Sequence, residues 1–387
     1  MNTVATVMNS PRIGSNDSAN DSAAFHYAVD SLGAAEWNTL LAEFSDAVIH
    51  QSAAFGALRW GTEEVSNIVL YEDDQPVAAA QVIVVRMPLL RAGVAHCKFG
   101  PMWRRRGQPE RTEIYEQILQ VMRDEYAVRR GLALRLKPWE TIGTLPGQLA
   151  MLRQTAGFAI QAQLPLYHTY ILDMSRSIEE LRAGFHSKWR YNLKKAEKQA
   201  LTITRSSDPT AAETFMRLYR AMRDIKNFVD TSEIDILPGL MRDLPENLRP
   251  SVFIAHSEGE PVAAIVISRV GDTAYYLFGA TANEGRSSGA SYVLFWNALC
   301  WLRESDCRWF DLVGSRPQGT GGGAGYRRFK SGMTGDNGEE YHMADWEVCH
   351  NIRSYIAVHG GTRLRAILRD VRHGLNGIRE RLLRRPG

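Results

Sequence analysis

The hydrophobic pattern of the chain occurs twice, at a spacing of about 180 residues. In the first half, residues 67–71 and 76–86 are rich in apolar and β-branched side chains, and the second stretch begins PVAAAQVIVV. In the second half, residues 251–256 and 261–270 show the same pattern, and the latter stretch reads PVAAIVISRV. Acidic or glycine residues separate the two stretches of each pair, which is typical of a turn between antiparallel strands. The sequence therefore predicts a β-hairpin in each half.

Both halves continue in the same order after the hairpin. A third strand, a long amphipathic helix and a short strand are predicted at 93–99, 109–130 and 132–137 in the first half, and at 273–278, 288–305 and 308–313 in the second. This order is that of the GNAT acyltransferase fold. We therefore expect an α/β (α+β) protein with two tandem GNAT-like acyltransferase units and a cleft between them. A fold by itself indicates only the general class of acyl transfer.

The predicted boundaries follow from this repeat. Residues 168–173 alternate as a strand, and Ser177 with Glu180 forms a capping box that begins one long helix. The expected segments are a disordered N-terminus at 1–24, a first unit at 25–165, a second unit at 166–338, one strand within 339–350 that returns to the first unit, and a basic amphipathic helix within 351–387.

Composition excludes several classes of protein. The 387 residues are 44% hydrophobic and 23% charged, which suits two globular domains of ordinary size. A formal net charge of +3 is too small to indicate nucleic-acid binding by itself. The four cysteines form no C-x-x-C pair, so neither a metal nor a resident cofactor is expected. Without a signal-peptide pattern, or an apolar run of about 18 residues, the expected location is cytoplasmic.

The helix after Ser177 is strongly basic on its polar faces. It contains the sequence FHSKWRYNLKKAEKQ, in which helical spacing aligns Leu181, Phe185, Trp189, Leu193 and Ala196 as an apolar stripe. Its cations are Lys188, Arg190, Lys194, Lys195 and Lys198, opposed only by Glu197. These cations could bind an anionic partner, or they could form an ordinary solvated face.

The same segment resembles the Fem family of peptidoglycan-bridge aminoacyltransferases, which carry K-x-R-x-x-[IL]-x-K-A-x-K at the start of their second GNAT unit. Further segments resemble the family in the same order along the chain. These are HQSAAFGALRW at 50–60, FGP at 99–101, LFGATANEGR through YVLFWNAL at 277–299, DLVG at 311–314 and YRRFKSGM at 326–333.

The resemblance implies transfer of an aminoacyl group from aminoacyl-tRNA to an amine of a UDP-linked or lipid-linked muropeptide bound in the cleft. It also implies that Lys330 is catalytic, because a lysine beside the transferring ester could stabilise negative charge on the carbonyl or the leaving ribose oxygen. An ordinary surface lysine is the alternative. Arg59 and Arg223 match positions that could hold acceptor phosphates. The other expected substrate-binding residues are Lys188, Arg190, Lys194, Tyr276, Arg286, Gly289, Asp311 and Arg328.

Two departures from the family pattern leave other functions open. Trp103 and three arginines follow Gly100 and Pro101, where the family has an acidic residue near the acceptor peptide. In addition, the segment from Arg286 to Ser291 (RSSGAS) approaches the [RQ]-x-x-G-x-[GA] loop with which GNAT enzymes bind the pyrophosphate of acyl-CoA. The alternatives are therefore an acyl-CoA-dependent N-acyltransferase and a non-enzymatic binding module. Either aminoacyl-tRNA or acyl-CoA would act as a co-substrate.

Two further segments carry weaker signals. The loop GTGGGAG at 319–325 lacks a Walker lysine, so we expect a mobile loop at the cleft. The tail at 362–385 has one apolar stripe and many arginines. This tail could lie on the inner membrane surface, bind tRNA phosphates or pack on the protein itself.

Overall fold

A computed structural model describes residues 25–87, 92–139, 146–162, 164, 166–226, 233–305, 307–314 and 323–360. Its strands form two seven-stranded sheets. The first sheet has the order β1-β2-β3-β4-β5-β14-β6. Its members are β1 (Phe25–Val29), β2 (Val65–Glu72), β3 (Gln75–Met87), β4 (Ala92–Lys98), β5 (Ala133–Lys137), β6 (Ala159–Ile160) and β14 (Trp346–Val348).

The second sheet has the order β13-β7-β12-β11-β10-β9-β8. Its members are β7 (Tyr167–Asp173), β8 (Leu201–Ser206), β9 (Ser251–Ser257), β10 (Glu260–Arg269), β11 (Thr273–Thr281), β12 (Trp309–Asp311) and β13 (Gly338–Met343). In both sheets, two antiparallel pairings are followed by one parallel pairing, along β2-β3-β4-β5 and along β9-β10-β11-β12. The two tandem units predicted from the hydrophobic repeat are thus present.

Helices cover the sheets of both units. Those that precede β7 in the chain are α1 (Ala34–Leu41), α2 (Ala53–Trp60), α3 (Thr112–Met122), which continues as a π-helix over Arg123–Arg129, and α4 (Pro146–Thr155). Those that follow β7 are α5 (Ile178–Gly184), α6 (Ser187–Ala196), α7 (Pro209–Lys226), α8 (Leu237–Asp243), α9 (Asn283–Ser287), α10 (Ala290–Glu304) and α11 (Gly323–Thr334). Residues 352–360 are also helical.

The single long helix predicted after Ser177 is wrong, because the chain forms α5 and α6 with a break between them. The capping box at Ser177 and Glu180 is present, with N–H to oxygen distances of 2.8 and 3.2 Å. Phe185 then adopts an extended conformation, and the Arg190 guanidinium donates to the carbonyls of Ala183 and Phe185. These bonds satisfy the last carbonyls of α5, which explains why the helix can end there.

The single strand predicted within 339–350 is also wrong, since this segment divides between the two sheets. β13 pairs with β7 in the second sheet, whereas β14 pairs with β5 in the first. Trp346 and Val348 are buried in the core of the first sheet. The chain therefore crosses back to its first unit after completing the second.

The two units pack closely where β10 turns into β11. A Cβ atom on Gly271 would lie 2.3 Å from the Ser45 carbonyl oxygen, so only glycine fits there. The Asp272 N–H donates to the same carbonyl at 2.7 Å, and Arg106 binds the Asp272 carboxylate at 2.8 Å. A buried cluster with Val48, Phe99 and Tyr275 continues this interface.

Several predictions concern residues outside the described part of the chain. These are the disordered N-terminus at 1–24, most of the glycine-rich loop at 319–325, and the basic tail at 362–385. Among the described residues, no helix is both long enough and apolar enough to cross a membrane.

Candidate functional site

Lys330 is a buried cation enclosed by aromatic rings. It lies on α11, and its side chain is fully buried. Its Nζ atom donates to the Val313 carbonyl and lies 4.1 Å from the centroid of the Tyr326 ring and 5.7 Å from that of Tyr276. A cation over aromatic faces is stabilised by their negative electrostatic potential. The alternative of an ordinary surface lysine is therefore wrong.

Asp311 ends β12 beside this lysine and is also buried. Its Oδ1 atom accepts hydrogen bonds from the Thr169 hydroxyl and, at 2.6 Å, from the Val313 N–H. Its Oδ2 atom is buried and has no hydrogen-bond partner among the described residues. Val313 has φ of 56°, which is rare for a β-branched residue. Such strained conformations are concentrated at functional sites.

Burial moves the pKa values of the two ionisable groups toward each other. It raises the pKa of Asp311 to about 6. It lowers the pKa of Lys330 to about 7, an effect that the negative charge of Asp311 partly opposes. Near neutral pH, Lys330 can therefore carry or lack its proton, which suits a group that changes its charge during a reaction.

The sheet brings Tyr275 next to Asp311, although no sequence motif indicated this residue. The two are directly paired across the parallel strands β11 and β12. Tyr275 is buried, and its hydroxyl has no hydrogen-bond partner among the described residues. It packs with Phe99 and His50 of the first unit, and burial holds the pKa of His50 well below its usual range. The rings of Tyr275, Phe99 and His50 therefore connect Asp311 to the interface between the units.

Two cationic side chains of the first unit, Arg59 and Lys98, both bind the carboxylate of Glu233, which follows α7 in the chain. Glu233 accepts from Arg59 at 3.4 Å and from Lys98 at 3.3 Å. Arg59 therefore lies at the interface between the units. Arg223 instead lies 3.6 Å from Asp224, and within the described ranges no hydrogen bond or ion pair joins its side chain to Arg59. That Arg59 and Arg223 hold acceptor phosphates remains a prediction.

The start of α6 and its apolar face contact the helix that carries Lys330, while its lysines face solvent. The His186 N–H donates to the Gly332 carbonyl of α11 at 2.9 Å, and Gly332 packs against Trp189. Glu197, the one acidic residue expected to oppose the lysines, is instead bound to Arg182 at 2.6 and 2.8 Å. Four exposed lysines have no ion pair within the described part of the chain: Lys188, Lys194, Lys195 and Lys198.

Two of the expected basic ligands have different surroundings. Arg190 donates to the end of α5, so its guanidinium is engaged in the fold. Arg328 is exposed on α11, two residues before Lys330. Tyr326, the first residue of the segment YRRFKSGM, lies one helical turn before the lysine and covers it. Its position at i−4 could have indicated this contact.

Several N–H groups of the segment proposed to hold a pyrophosphate are already hydrogen-bonded within it. The N–H groups of Arg286, Ser288 and Gly289 donate to the carbonyls of Ala282, Glu284 and Arg286, respectively. Gly289 has φ of 74°, and a Cβ atom there would lie 3.1 Å from the Ala196 Cβ atom. The end of α6 thus packs against the start of α10, where a phosphate would need room and free N–H groups.

Comparison with known proteins supports the second unit in particular. Residues 183–331 match the protein family described as Acetyltransferase (GNAT) domain. Two solved structures have the same fold. One is FemX, at 14% sequence identity over 85% of this chain and 99% of that chain, with a TM-score of 0.70.

The other solved structure is the C-terminal domain (DUF2156) of a putative lysylphosphatidylglycerol synthetase from Agrobacterium fabrum. It is 14% identical and covers 84% of this chain and 97% of that chain, with a TM-score of 0.50. No curated protein sequence gives a significant match.

Proposed function

We propose that the chain is a Fem-like acyltransferase of the GNAT superfamily, and that it transfers an aminoacyl group from aminoacyl-tRNA to an amine of a cell-wall precursor or a related peptide. The observation that carries this proposal is the buried Lys330 beside Asp311. An aminoacyl ester is already activated, so the protein has to position the reactants and stabilise developing charge.

The proposed reaction replaces an ester with an amide. The acceptor nitrogen attacks the carbonyl carbon of the aminoacyl ester, and the bond from that carbon to the ribose oxygen then breaks. The nitrogen loses one proton, and the ribose oxygen gains one. Protonated Lys330 stabilises the negative charge that develops on the carbonyl or ribose oxygen, and Asp311 beside it favours the charged form of the lysine.

The surroundings of Lys330 favour a tRNA donor over an acyl-CoA donor. The exposed lysines of α6 can bind phosphates of an RNA backbone near the helix that carries the catalytic lysine. By contrast, the hydrogen bonds within 282–289 occupy N–H groups that a CoA pyrophosphate would need.

The acceptor is proposed to lie between the units, where Arg59 and Lys98 supply positive charge and Glu233 can be displaced from them. A phosphate on the acceptor would replace this carboxylate as their partner. The name of FemX fits a peptidoglycan-type acceptor. The name of the Agrobacterium fabrum protein instead includes a phosphatidylglycerol product, so a lipid acceptor is the second candidate.

Access to Lys330 requires movement of an aromatic side chain. The Tyr326 ring lies directly over the ammonium group, although 40% of Tyr326 is exposed. We propose that the ring swings aside when the aminoacyl ester enters, so that the lysine meets the ester in a site that excludes water.

The test is a direct comparison of donors. The protein is incubated with a UDP-linked muropeptide and either a mixture of aminoacylated tRNAs or acetyl-CoA, and the acceptor is analysed by mass spectrometry. A mass increase of one amino-acid residue with tRNA alone is expected. An acetyl increase would show the acyl-CoA reaction instead, and replacing the muropeptide with phosphatidylglycerol vesicles would test the lipid acceptor.

A matched pair of variants assigns the product to this site. Lys330→Met keeps the side-chain volume but removes the ammonium, so product formation should fall strongly. Arg242→Ala removes an exposed cation paired with Asp243 on α8 and should leave product formation unchanged. No product with any donor and acceptor, from a protein that folds, would overturn the proposal.

A further inference from the structure

Two histidines and a glutamate converge on one face of the second sheet, outside the lysine site. His168 lies in β7, while Glu340 and His342 lie in the neighbouring strand β13. His342 is directly opposite His168 in the antiparallel register, and Glu340 precedes it by two residues. Because side chains two residues apart in a strand point to the same side, all three project from the same face.

The donor atoms of these side chains are close enough to share an ion. The His168 Nε2 atom contacts Glu340 Oε1, and His342 Nε2 lies 3.7 Å from the same oxygen. All three donor atoms lie within 4.8 Å of one another. In a tetrahedral site with bonds of about 2.0–2.2 Å, ligand atoms are roughly 3.3–3.6 Å apart. Small side-chain rotations would therefore suffice to reach this geometry.

We infer that His168, Glu340 and His342 form a binding site for a divalent transition-metal ion of the zinc class. Two imidazoles and one carboxylate suit Zn²⁺, Co²⁺ or Ni²⁺, whereas Mg²⁺ and Ca²⁺ prefer oxygen ligands alone. One histidine of the site is largely buried and the other is accessible to solvent. The His168 side chain is only 10% exposed, while that of His342 is 52% exposed, which gives an ion access from solvent and leaves room for water as a fourth ligand.

The position of Arg327 indicates what the ion would do. This residue lies on α11, three positions before Lys330, and its guanidinium is 3.3 Å from Glu340 Oε1. A bound ion would replace the guanidinium as the partner of that oxygen. The ion would also fasten the edge strand β13 to β7 under the helix that carries Lys330. A stabilising role follows, and this inference does not depend on the proposed aminoacyl transfer.

The test uses the full chain after treatment with a chelator and its removal. Zn²⁺ is titrated in by calorimetry, and Co²⁺ binding is followed by visible absorption, which reports tetrahedral coordination. One ion per chain is expected. His342→Ala and the nearly isosteric Glu340→Gln should each weaken binding at least about tenfold, since even the loss of an outer partner of a metal ligand costs 10–100-fold.

The control is His26→Ala, which removes a histidine of β1 that lies 3.6 Å from Asp74 in the other unit. It should bind the ion as the unchanged protein does. Zn²⁺ should also raise the Tm of the unchanged protein and of His26→Ala, but not that of His342→Ala, and the three Tm values without metal show whether each variant is folded. Absence of stoichiometric binding, or equal affinity in the folded His342→Ala variant, would overturn the inference and leave an ion-paired cluster only.

Discussion

Asp311 and Lys330 are both hydrogen-bonded to the backbone of one residue, Val313. The Val313 N–H donates to Asp311 Oδ1 at 2.6 Å, and the Val313 carbonyl accepts from Lys330 Nζ. The backbone of Val313 is in the left-handed region, with φ of 56°. The strand end that positions the carboxylate therefore also positions the lysine, and the chemistry of the two groups should be coupled.

The first prediction concerns the ammonium group of Lys330. Lys330→Met should lower kcat by about 10²–10³-fold, the usual cost of losing one group that stabilises an oxyanion. The variant leaves the buried Asp311 without its cationic neighbour, and removing one partner of a buried charge pair is destabilising, so a lower Tm is also expected. The measurement is the initial rate of amide formation at saturating donor and acceptor, with thermal unfolding as the folding check. Unchanged kcat in the folded variant would remove Lys330 from the mechanism.

The second prediction concerns pH, because burial lowers the pKa of Lys330 to about 7. The cationic form predominates below this pH and is lost above it, so charge stabilisation by Lys330 should weaken as pH rises through 7. The measured quantity is the ratio of turnover by the unchanged protein to turnover by Lys330→Met from pH 6 to 9. This ratio cancels the titration of the acceptor amine.

The ratio should fall across pH 7 if Lys330 acts as a cation. Lys330→Arg supplies the control, because a guanidinium remains protonated throughout this range. Its ratio to Lys330→Met should stay flat with pH, whatever its absolute rate. A ratio for the unchanged protein that rises through pH 7 would show instead that the neutral amine acts as a base.

The tandem fold could be predicted from sequence because each hairpin depends on local patterns. β3 and β10 both carry a proline followed by a run of small and β-branched residues, and the turn signals lie before them. By contrast, the break between α5 and α6 depends on Arg190, which reaches back to carbonyls of the preceding helix. Apolar spacing continues through this break, so periodicity alone could not reveal it.

The lysine site could be predicted only in part. Lys330 and Asp311 stood in segments that resemble a known family, but their mutual burial depends on β12, β7 and α11 meeting in space. No sequence pattern indicates Tyr275, because its place beside the site depends on its pairing with Asp311 across β11 and β12. The cluster of His168, Glu340 and His342 has no sequence signal for the same reason: His168 and His342 are far apart in sequence and meet only across two strands.

The third prediction tests how Tyr326 affects Lys330. Tyr326→Ala removes the ring over the ammonium group and admits water, so the pKa of Lys330 should rise toward its usual value. The fall in the turnover ratio described above should then move to higher pH. Tyr326→Phe keeps the ring and should leave the midpoint near that of the unchanged protein. Equal midpoints for the alanine variant and the unchanged protein would show that Tyr326 does not control the burial of the lysine.

The fourth prediction concerns the start of α10. Gly289 has a positive φ of 74° and packs against Ala196, so Gly289→Ala should lower the free energy of unfolding by about 1–2 kcal/mol. Arg286→Ala, at an exposed position on the same segment, should change it by less than about 0.5 kcal/mol. Urea denaturation measures both. A rise in the Tm of the unchanged protein with CoA that is lost in the folded Arg286→Ala variant would contradict our view that this segment binds no CoA.

The fifth prediction concerns the exposed lysines of α6. Each phosphate contact that is made through a lysine adds to the salt dependence of RNA binding, with a slope of about 0.7–0.9 per contact in a plot of log affinity against log salt. A double variant with Lys194→Ala and Lys198→Ala should therefore weaken tRNA binding and reduce the slope by roughly 1.5. A double variant with Arg217→Ala and Arg220→Ala removes the same charge from exposed positions on α7.

If the basic face of α6 is the tRNA contact, only the lysine pair should change the slope. Equal effects of the two double variants would show that net charge, rather than this face, attracts the tRNA. Fluorescence anisotropy with labelled tRNA at several salt concentrations measures both slopes. Lys194 lies on α6 and Lys198 in the turn that follows it, and the start of α6 is bonded to α11. Their contribution should therefore also appear as a higher KM for aminoacyl-tRNA with little change in kcat.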